Sequence, residues 1–189
     1  MSSDAAELIR ESIAAHETLL ADEPLAAIGE AAAVITNALR TGHKVLLFGN
    51  GGSASDATHI AAEFLGRFQR ERRPLPAIAL SDNTSALTAI ANDYGFEQVF
   101  ARQLRGLASP GDVAIAISTS GRSANVLEGV AAARELDLRT IALTGAHGGE
   151  LAGAVDIALV VGGSTTARIQ ECHILIAHVV CDLVERALE

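Results

Sequence analysis

The chain is poor in aromatic residues and has no long apolar run. Only 3% of its 189 residues are aromatic and none is tryptophan, although 49% are hydrophobic. The core must therefore be built from alanine, valine, isoleucine and leucine, which favours helices packed on a parallel sheet. Charge or glycine interrupts every apolar run well before the ~20 residues that a membrane helix needs. We expect a soluble protein with no membrane contact and a single domain over residues 1–189.

Positive charge is also scarce. The chain has 14 Lys and Arg residues against 23 Asp and Glu residues, a formal net charge of −9. Nucleic acids are bound by basic surfaces, so this balance argues against a nucleic-acid partner. Any bound phosphate must be held by a local site.

Cysteine is limited to two residues, Cys172 and Cys181. They lie nine positions apart on one predicted helix, about 13 Å along its axis, too far for a disulfide. The first twenty residues read as an amphipathic helix rather than a secretion signal. Both features predict a reduced, cytoplasmic setting.

What the chain does have is an alternation of apolar strands and helices after an opening helical pair. We predict helices at 4–22 and 25–41, strands at 44–48, 77–80, 112–117, 138–143 and 156–160, intervening helices at 54–67, 83–92, 97–107 and 123–136, and a last helix at 166–188. This rhythm predicts an α/β fold with a doubly wound, five-stranded parallel sheet. Ligands of such sheets bind where the strands end, near the switch point.

The first strand runs into Asn50, Gly51, Gly52 and Ser53 and then a helix. Small residues let backbone N–H groups close around an anion, and the helix N-terminus adds about half a positive charge. There is no G-x-G-x-x-G or Walker pattern, so a nucleotide cofactor is not implied. The loop predicts a small phosphorylated ligand such as a sugar phosphate.

A second loop of this kind follows the third strand. It contains the hydroxyl residues Ser118, Thr119, Ser120 and Ser123 and opens a helix. Hydroxyls and backbone donors at a strand end favour an oxyanion site. The alternative is an ordinary serine-rich turn with an N-cap.

Metal-ligating residue types occur on two predicted helices. His59 and Glu63 stand at i and i+4 on one helix face, a spacing that suits two ligands of one ion and equally suits a helix-surface pair. The last helix carries Gln170, His173 and His178 among apolar residues, where a buried imidazole needs a partner. Gln170 and His178 are about 12 Å apart along a helix, so they reach one ion only by leaning together or from different subunits. On spacing alone His173 could equally be the ligand.

Two further polar stretches have plain alternatives. Asn92 and Asp93 end a predicted helix and could face substrate hydroxyls or form an ordinary C-terminal turn. The basic stretch 67–73 is interpreted as a solvated loop.

Five segments together resemble one family. GNGGSASDATHIAAE, LTAIANDYGF, ISTSGRSANV, LTGAHGGELA and RIQECHILIAH follow one another as in the phosphoheptose (sedoheptulose 7-phosphate) isomerases of the sugar isomerase (SIS) domain superfamily. The resemblance covers nearly the whole chain. It implies an SIS-type flavodoxin-like core at 43–189, N-terminal helices at 1–42 for packing and oligomerisation, a homotetramer, and one zinc ion per subunit. The implied activity is conversion of a ketose phosphate into the heptose 7-phosphate that feeds activated heptose synthesis.

The resemblance also assigns roles to residues. It implies Glu63 and His178 as the proton-transfer pair of an enediol mechanism, and returns His173 to a structural role. At residue 122, where an asparagine is usual in the family, this chain has an arginine, which we expect to face solvent. The implied zinc ligands are His59, Glu63, Gln170 and His178, and the implied substrate contacts are Asn50, Gly51, Gly52, Ser53, Glu63, Asn92, Asp93, Ser118, Thr119, Ser120, Ser123 and Gln170.

Other roles and other metals stay open at this point. A similar non-catalytic branch binds a replication initiator and lacks the catalytic carboxylate and histidine, whereas this chain keeps Glu63 and His178. A sugar-phosphate sensor is a third interpretation, but such proteins usually carry an added DNA-binding domain. Two imidazoles, a carboxylate and an amide oxygen would accept zinc, manganese or another divalent ion.

Overall fold

A computed structural model describes residues 2–163 and 165–189, and within them five strands and eight α-helices alternate. The strands are β1 (Val45–Gly49), β2 (Ala77–Ala79), β3 (Val113–Ser118), β4 (Arg139–Thr144) and β5 (Ile157–Val160). The helices are α1 (Ser2–Glu17), α2 (Asp22–Arg40), α3 (Gly52–Leu65), α4 (Thr84–Tyr94), α5 (Val99–Leu107), α6 (Ala124–Glu135), α7 (Leu151–Ala154) and α8 (Thr166–Leu188).

All five strands are parallel and lie in the order β2-β1-β3-β4-β5. This is the flavodoxin-like order, in which the chain turns back between β1 and β3. The predicted doubly wound parallel sheet is confirmed, with each predicted strand within one or two residues of its observed bounds.

Apolar cores cover both faces of the sheet, as parallel strands require. On one face, α2, α3 and α8 pack on Val45, Leu47 and the other strand residues whose side chains point to that side of the sheet. On the other face, α5 and α6 pack on Leu46 and Phe48. The helices α3 and α6 therefore leave β1 and β3 on opposite faces, which opens a crevice between the two strand ends.

The opening helical pair differs from the prediction. α1 ends at Glu17, a 3₁₀ turn spans Thr18–Leu20, and α2 begins at Asp22, three residues before its predicted start. The prediction placed Pro24 outside the helix, but proline is tolerated in a first turn because the N–H groups there have no helical partner. The short helix α7 was not predicted. Among the described residues, none of the helices has both the length and the apolar character needed to cross a bilayer.

Candidate functional site

The loops that follow β1 and β3 lie side by side at the carboxyl edge of the sheet. Gly49 is in register with Ile117, so the two chains leave the sheet next to each other. A Cβ at Gly49 would meet the Ile117 carbonyl oxygen at 2.7 Å and the Ser53 Cβ at 2.8 Å, which explains the glycine. The predicted ligand loops thus meet at the switch point of the sheet, where this fold binds its ligands.

The β1–α3 loop is a tight turn with an exposed outer side. Gly51 has φ of 56°, a conformation that favours glycine, and it precedes α3 without a side-chain cap. Ser53 is buried, and its N–H donates to the Asn50 carbonyl oxygen at 3.0 Å. The Asn50 amide is paired with the amide of Asn125, with 2.8 Å between each nitrogen and the oxygen of the other residue. Asn50 therefore connects the β1–α3 loop to the first turn of α6 through hydrogen bonds.

The β3–α6 loop presents hydroxyls at the N-terminus of a twelve-residue helix. Ser118 is buried, and its hydroxyl lies 3.1 Å from that of Ser123, whose side chain makes no capping hydrogen bond to α6. Thr119 is half-buried and Ser120 is exposed. Arg122 is exposed, as expected. Hydroxyls and uncapped helical N–H groups are thus gathered in one loop, an arrangement that suits a phosphate.

The 145–149 loop after β4 supports this arrangement. The Gly145 N–H donates to the Thr119 carbonyl oxygen at 3.2 Å, and the Leu151 N–H to that of Gly121 at 3.0 Å. Gly121 has φ of 62°, and a Cβ there would overlap the Gly148 carbonyl. The glycines of both loops let two backbones pack directly against each other.

Gln170 is on α8, and its side chain packs against the start of α3. A Cβ placed on Gly52 would overlap the Gln170 side-chain amide, so the amide rests directly on the backbone of the β1–α3 loop. His59 is seven residues further along α3, about 10 Å along the helix axis. Within one chain, Gln170 therefore contacts the first turn of α3, whereas His59 lies about two turns further along that helix.

The side chains of His59, Glu63 and His178 meet further along α3, where it packs against α8. The Nε2 atoms of the two histidines are 3.1 Å apart, and the Glu63 Oε1 is 3.2 Å from the His59 Nε2. One ligand atom of each residue lies within 4.8 Å of the others. The His59 side chain is half-exposed and that of Glu63 mostly covered, at 50% and 23%. The cluster is therefore open to solvent on one side.

This donor set fits a zinc ion. Zinc is commonly held by imidazole nitrogens and a carboxylate oxygen, and tetrahedral bonds of about 2.0–2.2 Å separate the ligand atoms by roughly 3.3 Å. The observed separations of 3.1 and 3.2 Å are close to that value. Two imidazole nitrogens facing each other otherwise need one ring to act as donor.

Asp56 lies one turn before His59 on α3. Burial raises the pKa of the Asp56 carboxyl above its usual value, and the nearby His59 opposes that rise. Asp56 is therefore a half-buried carboxyl group next to the cluster.

Two other predicted positions have different surroundings. His173 is fully buried and is not part of the cluster; burial lowers its pKa to about 4, and the Thr144 backbone offsets only part of that shift. Asn92 and Asp93 lie exposed at the end of α4, and the Asn92 amide donates to the Asp93 carboxylate at 2.8 Å. Their polar atoms face outward, where a ligand or a second molecule can reach them.

Sequence reasoning missed two side chains that touch the predicted site residues, Asn125 and Phe68. Asn125 follows Ser123 by two positions, and the signal was a polar residue on the buried side of a predicted helix. Phe68 stacks on His178 but stands in the stretch 67–73, which was interpreted as a solvated loop. That interpretation was wrong for Arg72, whose side chain is only 9% exposed.

Comparison with known proteins agrees with this architecture. Residues 4–145 match the SIS domain family. A phosphoheptose isomerase of Aquifex aeolicus is 58% identical over 158 residues, which is 84% of this chain and 83% of that protein. The structure of a phosphoheptose isomerase from Neisseria gonorrhoeae gives a TM-score of 0.86 at 46% identity, covering 98% of this chain and 96% of that one. One from Francisella tularensis gives 0.93 at 40% identity, covering 98% and 99%. These matches confirm the resemblance of the five motifs, and the chain belongs to the phosphoheptose isomerase family of SIS domain proteins.

Proposed function

We propose that this chain is an aldose–ketose isomerase that converts D-sedoheptulose 7-phosphate into D-glycero-D-manno-heptose 7-phosphate, the first step of activated heptose synthesis. The observation that carries the proposal is the His59–Glu63–His178 cluster, with interatomic separations of 3.1 and 3.2 Å, between α8 and the helix α3, which starts at the ligand edge of the sheet. The names of the relatives support the same substrate. We place the reaction in the cytoplasm.

The phosphate is held in the β3–α6 loop. Ser118, Thr119, Ser120 and Ser123 supply hydroxyl donors, and the N-terminus of α6 adds a favourable field. The chain has a net charge of −9, so a local site of this kind is needed to hold a dianion. The exposed Arg122 is not required for this role.

The sugar lies along the β1–α3 loop. Backbone groups of Asn50, Gly51, Gly52 and Ser53 face it, and Asn92 and Asp93 bind its hydroxyls. The pairing with Asn125 fixes the Asn50 side chain, so we assign Asn50 to the sugar through its backbone and through the shape of the turn. An enzyme that moves a proton between two neighbouring carbons needs the chain of its substrate held this firmly.

His59, Glu63 and His178 would hold a zinc ion. When bound, the ion would supply Lewis-acid polarisation of the substrate carbonyl. The half-exposed His59 side leaves room for the substrate to approach the cluster.

Glu63 and His178 carry out proton transfer. Isomerisation needs one group to take a carbon-bound proton and another to protonate the oxygen, through an enediol. The Glu63 Oε1 is the atom that faces His59, so we assign Oε2 to the carbon-bound proton. His178 is the group assigned to protonate the carbonyl oxygen, a role that it fills when its ring carries the proton and its Nε2 does not hold the ion. A carboxylate that also binds a metal is a weaker base. For this reason we assign metal binding and proton abstraction to different oxygens of Glu63.

Gln170 joins the cluster from a second subunit. In one chain its amide rests on Gly52, about 10 Å along α3 from His59, and this separation supports a Gln170 ligand supplied by another copy. The exposed apolar side chains of α1 support oligomerisation, since Leu8, Ile9 and Ile13 are each more than half exposed, at 55%, 61% and 52%. We propose a homotetramer with sites near its interfaces.

The non-catalytic alternative, binding of a replication initiator or sensing of a sugar phosphate, is not favoured. A protein-binding surface has no need for two imidazoles and a carboxylate within 4.8 Å of one another.

The test is turnover of sedoheptulose 7-phosphate by the purified protein, followed by direct detection of the aldose product. We expect activity with zinc, loss after chelation, recovery on adding zinc back, and no activity in His178→Gln. Absence of turnover in every sample, with zinc bound and the fold intact, would exclude this substrate.

The subunit assignment has its own test. Gln170→Ala and His178→Gln are each expected to be inactive alone, and co-assembly of the two should restore activity, because some sites then combine an intact cluster with an intact Gln170. If mixed assemblies stay inactive although the subunits exchange, Gln170 and the cluster do not form a site across an interface.

A further inference from the structure

The ring of Phe68 stacks on the ring of His178. Their centroids are 5.2 Å apart and the ring planes differ by 29°. The His59 ring lies 5.3 Å from the His178 ring, at an angle of 54°. His178 is thus in contact with one aromatic ring that belongs to the metal-type cluster and one that does not. An imidazole confined in this way has little freedom to turn its Nε2 away from His59.

We propose that Phe68 is a positioning residue for His178, and that Glu185 holds Phe68 in place through the backbone of the 66–73 loop. The inference rests on the proposed function, because it is the acid and ligand role of His178 that needs a fixed ring. It assigns to this loop a part in building the active site that its basic composition does not suggest.

The loop is held by one buried carboxylate. Glu185, 2% exposed, accepts the N–H of Phe68 at 2.8 Å and those of Gln69 and Arg70 at 2.9 Å each. Burial alone would raise the pKa of Glu185, but the three N–H donors and Arg72 outweigh it and hold the pKa below its usual value. Three consecutive N–H groups bound to one ionised carboxylate restrict the backbone of the loop at Phe68.

Arg72 connects the same carboxylate to α3. Its Nε lies 3.0 Å from the Glu185 Oε1, and its terminal nitrogens donate to the carbonyl oxygens of Glu63 at 2.8 Å and Phe64 at 2.9 Å. The last turn of α3, which carries Glu63, is therefore fixed to the end of α8. Glu185 is therefore connected to Glu63 through Arg72 and the Glu63 backbone, and to His178 through Phe68.

Support of this kind acts on metal ligands through their orientation. Groups that contact a ligating histidine typically change metal affinity by about 10–100-fold when they are removed. An aromatic stack is weaker than a charged partner, at about 0.5–1.5 kcal/mol for a pair. The Phe68 contribution should therefore be about threefold to tenfold in the Kd for zinc.

The experiment measures zinc affinity by competition with a chromophoric chelator, at a temperature where circular dichroism shows each variant fully folded. We expect Phe68→Leu to raise the Kd about threefold to tenfold and Phe68→Tyr, which keeps the ring, to bind as the wild type does. Phe96→Leu is the matched control, since Phe96 is 52% exposed and on another helical turn. Glu185→Gln should raise the Kd for zinc at least as much as Phe68→Leu does, because it releases both the Phe68 backbone and Arg72, while Glu135→Gln, at an exposed ion pair with Arg105, should not change the Kd.

A second readout needs neither metal nor turnover. In metal-free protein, the Phe68 ring current should shift the ring protons of His178 upfield, and Phe68→Leu should remove that shift; His178→Gln identifies the resonance. In loaded enzyme, Phe68→Leu should lower kcat with little change in KM, because the substrate contacts lie elsewhere.

The outcomes separate the two proposals. Unchanged zinc affinity and unchanged His178 ring shifts in folded Phe68→Leu would overturn the positioning role, even if the protein is an active isomerase. A folded Phe68→Tyr as weak as Phe68→Leu would also overturn it. If the wild type binds zinc but turns over no heptulose phosphate, the proposed function fails while the Phe68 effects on affinity and ring shift still decide the positioning role.

Discussion

The side-chain amides of Asn50 and Asn125 donate to each other, with 2.8 Å between nitrogen and oxygen in both directions. Asn50 follows β1 and Asn125 lies in the first turn of α6, so the pair bridges the crevice at the switch point of the sheet. Each side chain uses a donor and an acceptor on the other. The two ligand loops therefore keep a fixed spacing before any ligand arrives.

Removing this pair should loosen the ligand edge. Asn125→Ala leaves the Asn50 amide without its partner, which costs about 1–3 kcal/mol of unfolding free energy, and the freed turn should raise KM more than it lowers kcat. Urea unfolding and steady-state kinetics measure both. Asn37→Ala, on the exposed side of α2, is the control; its KM should be unchanged and its free energy of unfolding should not fall, because alanine is the better helix former. An unchanged KM in Asn125→Ala would show that the pair is not needed for substrate binding.

Replacing the proposed base should separate chemistry from folding. Glu63→Gln keeps the shape of the side chain, and we expect an intact fold with turnover at least ~100-fold lower, as for the loss of a general base. Circular dichroism and product detection at saturating substrate make the comparison, with the exposed Glu30→Gln as control. Near-normal turnover would remove Glu63 from the mechanism.

A methyl group at Gly52 should disturb the site without unfolding the helix. In Gly52→Ala the Cβ overlaps the Gln170 amide, so the amide must move. We expect kcat/KM to fall by about tenfold or more, since small displacements of positioning groups have large effects on rate. Gly29→Ala is the matched change, because a Cβ there meets nothing within 4 Å, and it should stabilise α2 by about 0.5–1 kcal/mol. Equal activity in the two variants would contradict the close contact with Gln170.

The buried His173 should make stability depend on pH. Its native pKa is about 4, against an ordinary value of 6.5, because burial disfavours the charged ring. As the pH falls, the unfolded chain takes up this proton before the native protein does. The free energy of unfolding therefore decreases by about 3 kcal/mol between about pH 6.5 and pH 4. Above pH 6.5 the ring is neutral in both states and this loss is absent.

Unfolding in urea at steps of pH from 7 to 5, above the range where most carboxylates titrate, measures this slope. In His173→Leu the slope should be smaller than in the wild type. The same slope in both proteins would mean that His173 can be protonated in the native state.

The sheet could be predicted because its signals are local. Buried strands such as Val45–Gly49 and Val113–Ser118 are continuous apolar runs that end in glycine or serine, and each was found within one or two residues. The error at Pro24 arose because the same residue can end one helix or stand in the first turn of the next. The chain pattern does not distinguish the two.

The site was predictable only in part, for a different reason. The i, i+4 spacing of His59 and Glu63 follows from helix geometry, whereas their approach to His178 depends on how α3 crosses α8. The roles of these residues remain predictions. Phe68 and Arg72 were not found because a basic, partly exposed stretch carries no sign that a glutamate more than a hundred positions later will order it.

The last helix also determines when this protein can fold. α8 follows all five strands in chain order and supplies Ile176, Val180 and Val184 to the core over one face of the sheet. A nascent chain that has not yet released α8 from the ribosome leaves part of that face uncovered, because α2 and α3 alone do not complete the core around Ile115 and Ile141. It also lacks His178 and the carboxylate of Glu185. Burial of this part of the core and assembly of the cluster therefore both require α8 to have emerged.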